Sequence, residues 1–118
     1  MTDPLVAALL VGVGGAFGAT ARHAVGLAVD GREAIVIVNA AGSFVLGWLL
    51  VAPVGSALAI AAAIGFCGAF TTFSSFAVET VSTAEDGQAG VAVGFALANL
   101  VAAFLAFFLG SALATAVW

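Results

Sequence analysis

A long uncharged stretch limits this chain more than any other feature of its sequence. Residues 34–78, between Glu33 and Glu79, are 45 positions without a charged side chain. A helix of about 20 residues already crosses a hydrocarbon core of roughly 30 Å. The stretch therefore has room for two membrane-spanning helices. Pro53 and Gly55 divide it, because proline and glycine interrupt helices.

The same scarcity of charge holds for the whole chain. Its 118 residues include two basic and six acidic side chains, so 7% are charged and 64% are hydrophobic. Soluble domains carry about 25% charged residues. Lipid is therefore the expected solvent, and an all-α fold follows because a helix satisfies its own backbone groups in lipid. We predict one transmembrane domain over residues 1–118, with spans at about 5–29, 34–52, 57–82 and 89–117.

The composition also argues against several functional classes. A net charge of −4 with no lysine opposes binding to nucleic acid, which selects basic patches. The single cysteine, Cys67, cannot form an internal disulfide. The sequence contains no recognisable pairing of a nucleophile with a base and no paired carboxylates, so we do not expect an enzyme.

The third predicted span carries an unusual cluster at residues 65–76 (GFCGAFTTFSSF). Its glycines weaken a helix, and its serines and threonines offer the backbone alternative hydrogen bonds. We therefore predict a break in the third helix, covered by protein or lining a cavity. Carbonyl groups freed at such a break are a common site for a monovalent cation.

Several side chains in the spans have two possible roles. Phe73 and Phe76 share one helical face, where they either pack or present their positive ring edges to an anion. Asn39 offers amide donors to an anion or forms a hydrogen bond between helices. Arg22 either extends to the interface or supplies positive potential at a vestibule.

Four short helices are few for enclosing a pore, so a dimer is expected. Small residues allow helices to approach closely, and Gly14 with Gly18 forms a GxxxG pair. Gly42 and Ser43 form a second small-residue site on the second span. Contacts within one chain and contacts between two chains are equally good explanations of both sites.

Three segments together resemble the CrcB/Fluc family of fluoride channels. Residues 14–22 (GGAFGATAR) are similar to the family pattern GGxxGAxxR, and residues 38–47 (VNAAGSFVLG) to VNxxGSFxLG. Residues 65–76, followed by Glu79, are similar to GFxGxxTTFSTF. The third pattern is highly specific, and all three occur in order along most of the chain.

The resemblance implies an antiparallel, dual-topology homodimer in the cell membrane that exports fluoride passively and lowers its toxicity. It implies a structural Na⁺, not transported, on the backbone carbonyls of Gly68 and Thr71, with Arg22 at the vestibule. The residues expected to line the fluoride pore are Phe73, Phe76, Asn39, Thr72, Ser74, Ser75 and Asn99.

Two segments depart from the family pattern. His23 follows Arg22 where tyrosine is usual, and the fourth span has Phe95 and Asn99 where the family often has Tyr-x-x-x-Ser. Phe95, Asn99 and Ala103 recur every four residues and share one face. If that face meets the pore, Asn99 replaces the missing hydroxyl groups; otherwise it bonds across a helix interface.

Two other functions fit the sequence less well than a channel does. A small multidrug-type, proton-coupled exporter needs a carboxylate in the first span, and residues 5–21 contain none. A non-transporting membrane assembly subunit explains the hydrophobicity but leaves the Thr/Ser/Phe cluster without a purpose. Measured ion flux separates a channel from an assembly subunit.

Overall fold

Five helices form four membrane-capable spans in the computed structural model, which describes residues 2–118. These residues contain no strand. The third span, Ser56–Glu85, consists of two consecutive helices. The bounds of all four spans lie within three residues of the predicted ones. The helices are α1 (Pro4–Ala28), α2 (Gly31–Val51), α3 (residues 56–70), α4 (Phe73–Glu85) and α5 (Ala89–Val117).

The helix ends follow from local sequence. Asp3 caps α1 by accepting hydrogen bonds from the N–H groups of Leu5 and Val6, at 2.8 and 3.3 Å. The turn between α1 and α2 is tight, and Gly31 has a φ of +63° that favours glycine. Helix α5 is 29 residues long. At 1.5 Å per residue it exceeds a core of about 30 Å, so it tilts or protrudes.

Helix α1 packs on a π-helical part of α3, Ile60–Cys67. A Cβ atom at Gly14 would overlap the carbonyl oxygen of Ala61, and one at Gly18 would overlap that of Phe66. Glycine is therefore needed at both positions for the two backbones to meet. The GxxxG pair, for which two explanations were open, makes its contact within one chain.

Helices α2 and α5 form the other closely packed pair. A Cβ at Gly47 would overlap the Phe107 carbonyl oxygen, and one at Gly110 would overlap that of Phe44. The Ser111 hydroxyl adds a hydrogen bond of 3.0 Å to the Gly47 carbonyl. Because α2 and α5 are held this closely, their polar side chains nearer the centre of the fold face one another.

We expect Gly14→Ala to destabilise the protein, whereas Gly12→Ala, on the same helix, does not. Overpacking costs about 1–3 kcal/mol, and the new methyl at Gly14 meets rigid backbone. Nothing lies within 4 Å of a Cβ at Gly12, so there alanine adds up to about 1 kcal/mol of helix propensity. Thermal unfolding in detergent measures both; equal melting temperatures would contradict the α1–α3 contact.

Candidate functional site

The third span breaks at Thr71 and Thr72, inside the cluster from which the break was predicted. Both residues are extended, with ψ angles of 161° and 117°. Helix α4 then begins at Phe73, and the Thr72 hydroxyl caps it by accepting from the Ser75 N–H at 3.1 Å. Thr71 therefore follows the end of one helix, and Thr72 caps the start of the next.

The break changes the hydrogen-bond partners of backbone groups on both of its sides. The Thr72 N–H, which would bond the Gly68 carbonyl in a continuous helix, donates instead to Asn39 Oδ1 at 2.7 Å. The Ser75 N–H likewise leaves the Thr71 carbonyl, which accepts from Arg22 Nη1 at 3.3 Å. Arg22 thus lies against the break, and its vestibule role stays a prediction. The carbonyls of Gly68 and Thr71 are the two predicted Na⁺ ligands.

Asn39 joins the break to two helices. Besides accepting from the Thr72 N–H, its Nδ2 donates to the Thr72 carbonyl at 3.1 Å and to Asn99 Oδ1 at 3.0 Å. Asn39 and Thr72 are both buried, so these bonds replace water almost completely. The hydrogen bond between helices that the sequence allowed for Asn39 is present. Its donation to an anion stays a prediction.

Three phenyl rings form a row beside this network. The ring centroids of Phe73 and Phe76 lie 5.9 Å apart, and those of Phe76 and Phe95 lie 5.5 Å apart. Phe95 is buried, whereas Phe73 is 79% exposed on the single chain. Phe76 is therefore held between a fixed ring and an open one, and the row extends the predicted pair onto α5.

An open cleft of about 450 Å³ collects most of the predicted residues. Those among its walls are Asn39, Gly68, Thr71, Thr72, Phe73, Phe76 and Asn99. Ser74 and Ser75 are exposed outside it, because residues on α4 turn by about 100° each and positions 73 and 76 take the cleft face. The pore role of these two serines stays a prediction.

Sequence reasoning missed part of the cleft wall. Gly42, Ser43 and Leu46 of α2 also line it. They follow Asn39 by three, four and seven residues. This spacing places them on the same helical face as Asn39, so it could have predicted them. Ala103 lies in the wall as well, one turn beyond Asn99 on the face expected from its spacing.

The cleft is electrically neutral. Every side chain in its wall is uncharged. Glu79, one turn beyond Phe76, forms an ion pair with Arg32 at 3.1 Å, and Arg32 also donates to the Thr83 hydroxyl at 3.2 Å. An ion in the cleft would therefore be stabilised by oriented dipoles and ring edges, which bind weakly enough for it to leave.

Comparison with known proteins matches this architecture to one family. Residues 9–111 match the family described as CrcB-like protein, Camphor Resistance (CrcB). A protein of Natronomonas pharaonis named fluoride-specific ion channel FluC 2 is 58% identical over 114 residues, covering 95% of this chain and 97% of the relative. The FluC 2 channel of Haloarcula marismortui is 46% identical, covering 86% and 87%.

The similarity extends to a more distant relative. The fluoride-specific ion channel FluC of Prosthecochloris aestuarii is 36% identical, covering 100% of this chain and 99% of the relative. The family match reaches into all four membrane-capable spans. The chain is therefore a multi-pass membrane protein that belongs to the CrcB family.

Proposed function

We propose that this protein is a fluoride-selective channel that lets fluoride leave the cell down its gradient and so lowers fluoride toxicity. The observation that carries the proposal is the relative named a fluoride-specific ion channel, 58% identical over 95% of this chain. The neutral cleft supports it, because the phenyl rings and amide groups there are ligands suited to a small anion.

The chemistry of the cleft explains how a strongly hydrated anion would cross. The ring edges of Phe73 and Phe76 carry partial positive charge and offer no full charge that would trap the ion. Amide N–H groups nearby replace part of the water shell. Passage needs no covalent step, so the protein acts as a channel and not as a catalyst.

Efflux from liposomes tests the function directly. Purified protein is reconstituted with internal potassium fluoride, and valinomycin compensates the charge that leaves. We expect fluoride to appear outside, measured with a fluoride electrode. In liposomes loaded with potassium chloride instead, we expect chloride to remain inside. Protein-free liposomes are the control. No fluoride release from folded protein would refute the proposal, and efflux of cationic dyes coupled to protons would favour an exporter.

The channel is proposed to be a homodimer of inverted copies. One chain leaves the cleft open and Phe73 79% exposed, so a second chain is needed to enclose the path. A cysteine introduced at the exposed Gln88 would then be labelled from both sides of the membrane, while Cys67 is buried and contributes little label. Labelling from one side only would refute inversion. Co-purification with a similar chain would indicate a mixed dimer instead of a homodimer.

A structural Na⁺ is proposed to join the two copies at the break. The donor set fits, since the carbonyls of Gly68 and Thr71 lose their helical partners and oxygen ligands suit a hard cation. Arg22 uses one lone pair of the Thr71 oxygen and leaves the other. Gly68 is exposed on the single chain, as a site shared with a second copy requires.

Removal of Na⁺ is expected to weaken the dimer. We expect the dimeric fraction, measured by light scattering in detergent, to fall when N-methyl-D-glucamine replaces Na⁺. Thr71→Ser is the matched control, because it keeps the backbone carbonyl and a hydroxyl that can bond the Cys67 carbonyl as Thr71 does at 2.9 Å. Unchanged association without Na⁺ would contradict the proposed ion.

A further inference from the structure

The hydrogen bonds around Asn39 fix the orientation of two amide groups. A backbone N–H only donates, so the Asn39 atom facing the Thr72 N–H at 2.7 Å must be Oδ1. The other end of that amide is then Nδ2, which donates to the Thr72 carbonyl and to Asn99. Because Nδ2 only donates, the Asn99 atom 3.0 Å away must be Oδ1.

This orientation leaves the two asparagines with different capacities. Asn39 has two amide protons, and both have acceptors within the chain. The Nδ2 of Asn99 bonds no acceptor among residues 2–118, although Asn99 lies in the cleft wall. An anion could accept a hydrogen bond from Asn39 only if the bond from Asn39 to Thr72 or to Asn99 were broken. An anion could accept a hydrogen bond from Asn99 Nδ2 without breaking any hydrogen bond of the chain.

The remaining hydroxyl donors of the cleft are mostly occupied. Thr71 Oγ1 donates to the Cys67 carbonyl at 2.9 Å, and Thr72 Oγ1 accepts from Ser75 and shares a bond with Ser74. The Ser43 hydroxyl has no hydrogen-bond partner among residues 2–118, and it lies in the cleft wall. Asn99 thus offers two N–H donors that have no acceptor among residues 2–118, whereas Ser43 offers one O–H donor.

We propose that Asn99 supplies the amide donor that receives the anion, and that Asn39 is the positioning residue that orients it. The series runs from the Thr72 peptide through Asn39 to Asn99, and it presents a partially positive NH₂ end to the neutral cleft. A cation meets the same end unfavourably, so the series favours anions over cations. This inference rests on the proposed function and names Asn99 as the residue that favours anions over cations.

Fluoride efflux from liposomes tests the proposal with three variants. Asn99→Asp keeps an oxygen for Asn39 but replaces the donor by an acceptor, and Asn99→Ala removes both. We expect each to lower flux per folded protein by about tenfold or more, as loss of a hydrogen bond to a charged group implies. Asn99→Ser, whose hydroxyl accepts and donates, is expected to recover most of the flux lost in Asn99→Ala.

A matched control separates the donor from helix packing. Ser111→Ala removes another hydrogen bond between α5 and α2, outside the cleft, and is expected to keep the flux of the unchanged protein. Equal flux in the Ala and Ser variants, or unchanged flux in the Asp variant, would overturn the role of Asn99. A loss in Ser111→Ala as large as in Asn99→Asp would do the same. Absence of fluoride flux in the unchanged protein would instead overturn the proposed function.

Discussion

Replacing Phe76 by isoleucine is expected to lower fluoride flux strongly while the chain still folds. Isoleucine keeps the hydrophobic volume but has no ring edge to stabilise an anion. Phe76 lies between Phe73 and Phe95, so its edge direction is fixed by the ring row. A loss of about 1.4 kcal/mol at the barrier lowers a rate about tenfold. We expect at least that reduction, measured as efflux per reconstituted dimer.

The companion variants show whether the ring itself matters. Phe73→Ile should also reduce flux, since Phe73 lines the same cleft. Phe17→Ile makes the same chemical change on α1, at a ring 68% exposed and outside the cleft, and should leave flux unchanged. If Phe73→Ile and Phe76→Ile both behaved like Phe17→Ile, the pair would be a packing contact only.

Asn39→Asp is expected to abolish transport and to destabilise the fold. The carboxylate still accepts from the Thr72 N–H, but its second oxygen faces the Thr72 carbonyl and Asn99 Oδ1, which are both acceptors. Each buried polar group left unpaired costs about 1–3 kcal/mol. We therefore expect a loss of at least about 2 kcal/mol in unfolding free energy, together with loss of fluoride efflux.

Ser43→Ala is the stability control for this change. Ser43 lies one turn beyond Asn39 on α2 and is half-buried in the same cleft wall, without a hydrogen bond to its side chain among residues 2–118. Its melting temperature should match that of the unchanged protein. Normal stability and normal flux in Asn39→Asp would show that the amide series is absent in the membrane.

The spans and the helix break could be read from residue types because local physics decides them. Forty-five uncharged residues can lie only in lipid or in a large core, and Pro53 divides them. At Thr71 and Thr72 the backbone has competing hydrogen-bond partners a few residues away, so the local sequence is enough to indicate the break. The shared face of Phe73 and Phe76 follows from helical spacing alone.

The partners of polar and small residues could not be read in the same way. Gly14 and Gly18 suit a contact within one chain as well as one between chains, and only the path of α3 shows which. The position of Ser74 and Ser75 outside the cleft depends on how α4 is rotated against α5. A residue type states what a group can bond, and not which group is within reach.

Asn39 shows this division most clearly. Its sequence position established a buried amide that needs partners in lipid, because unpaired polar groups there are costly. Its partners, Thr72 and Asn99, lie 33 and 60 residues away along the chain. Hydrogen bonds act only within about 3.5 Å and over a narrow range of angles. Which amide keeps N–H groups without an acceptor among residues 2–118 was therefore decided by the packing of α2, α4 and α5, and by nothing local to either asparagine.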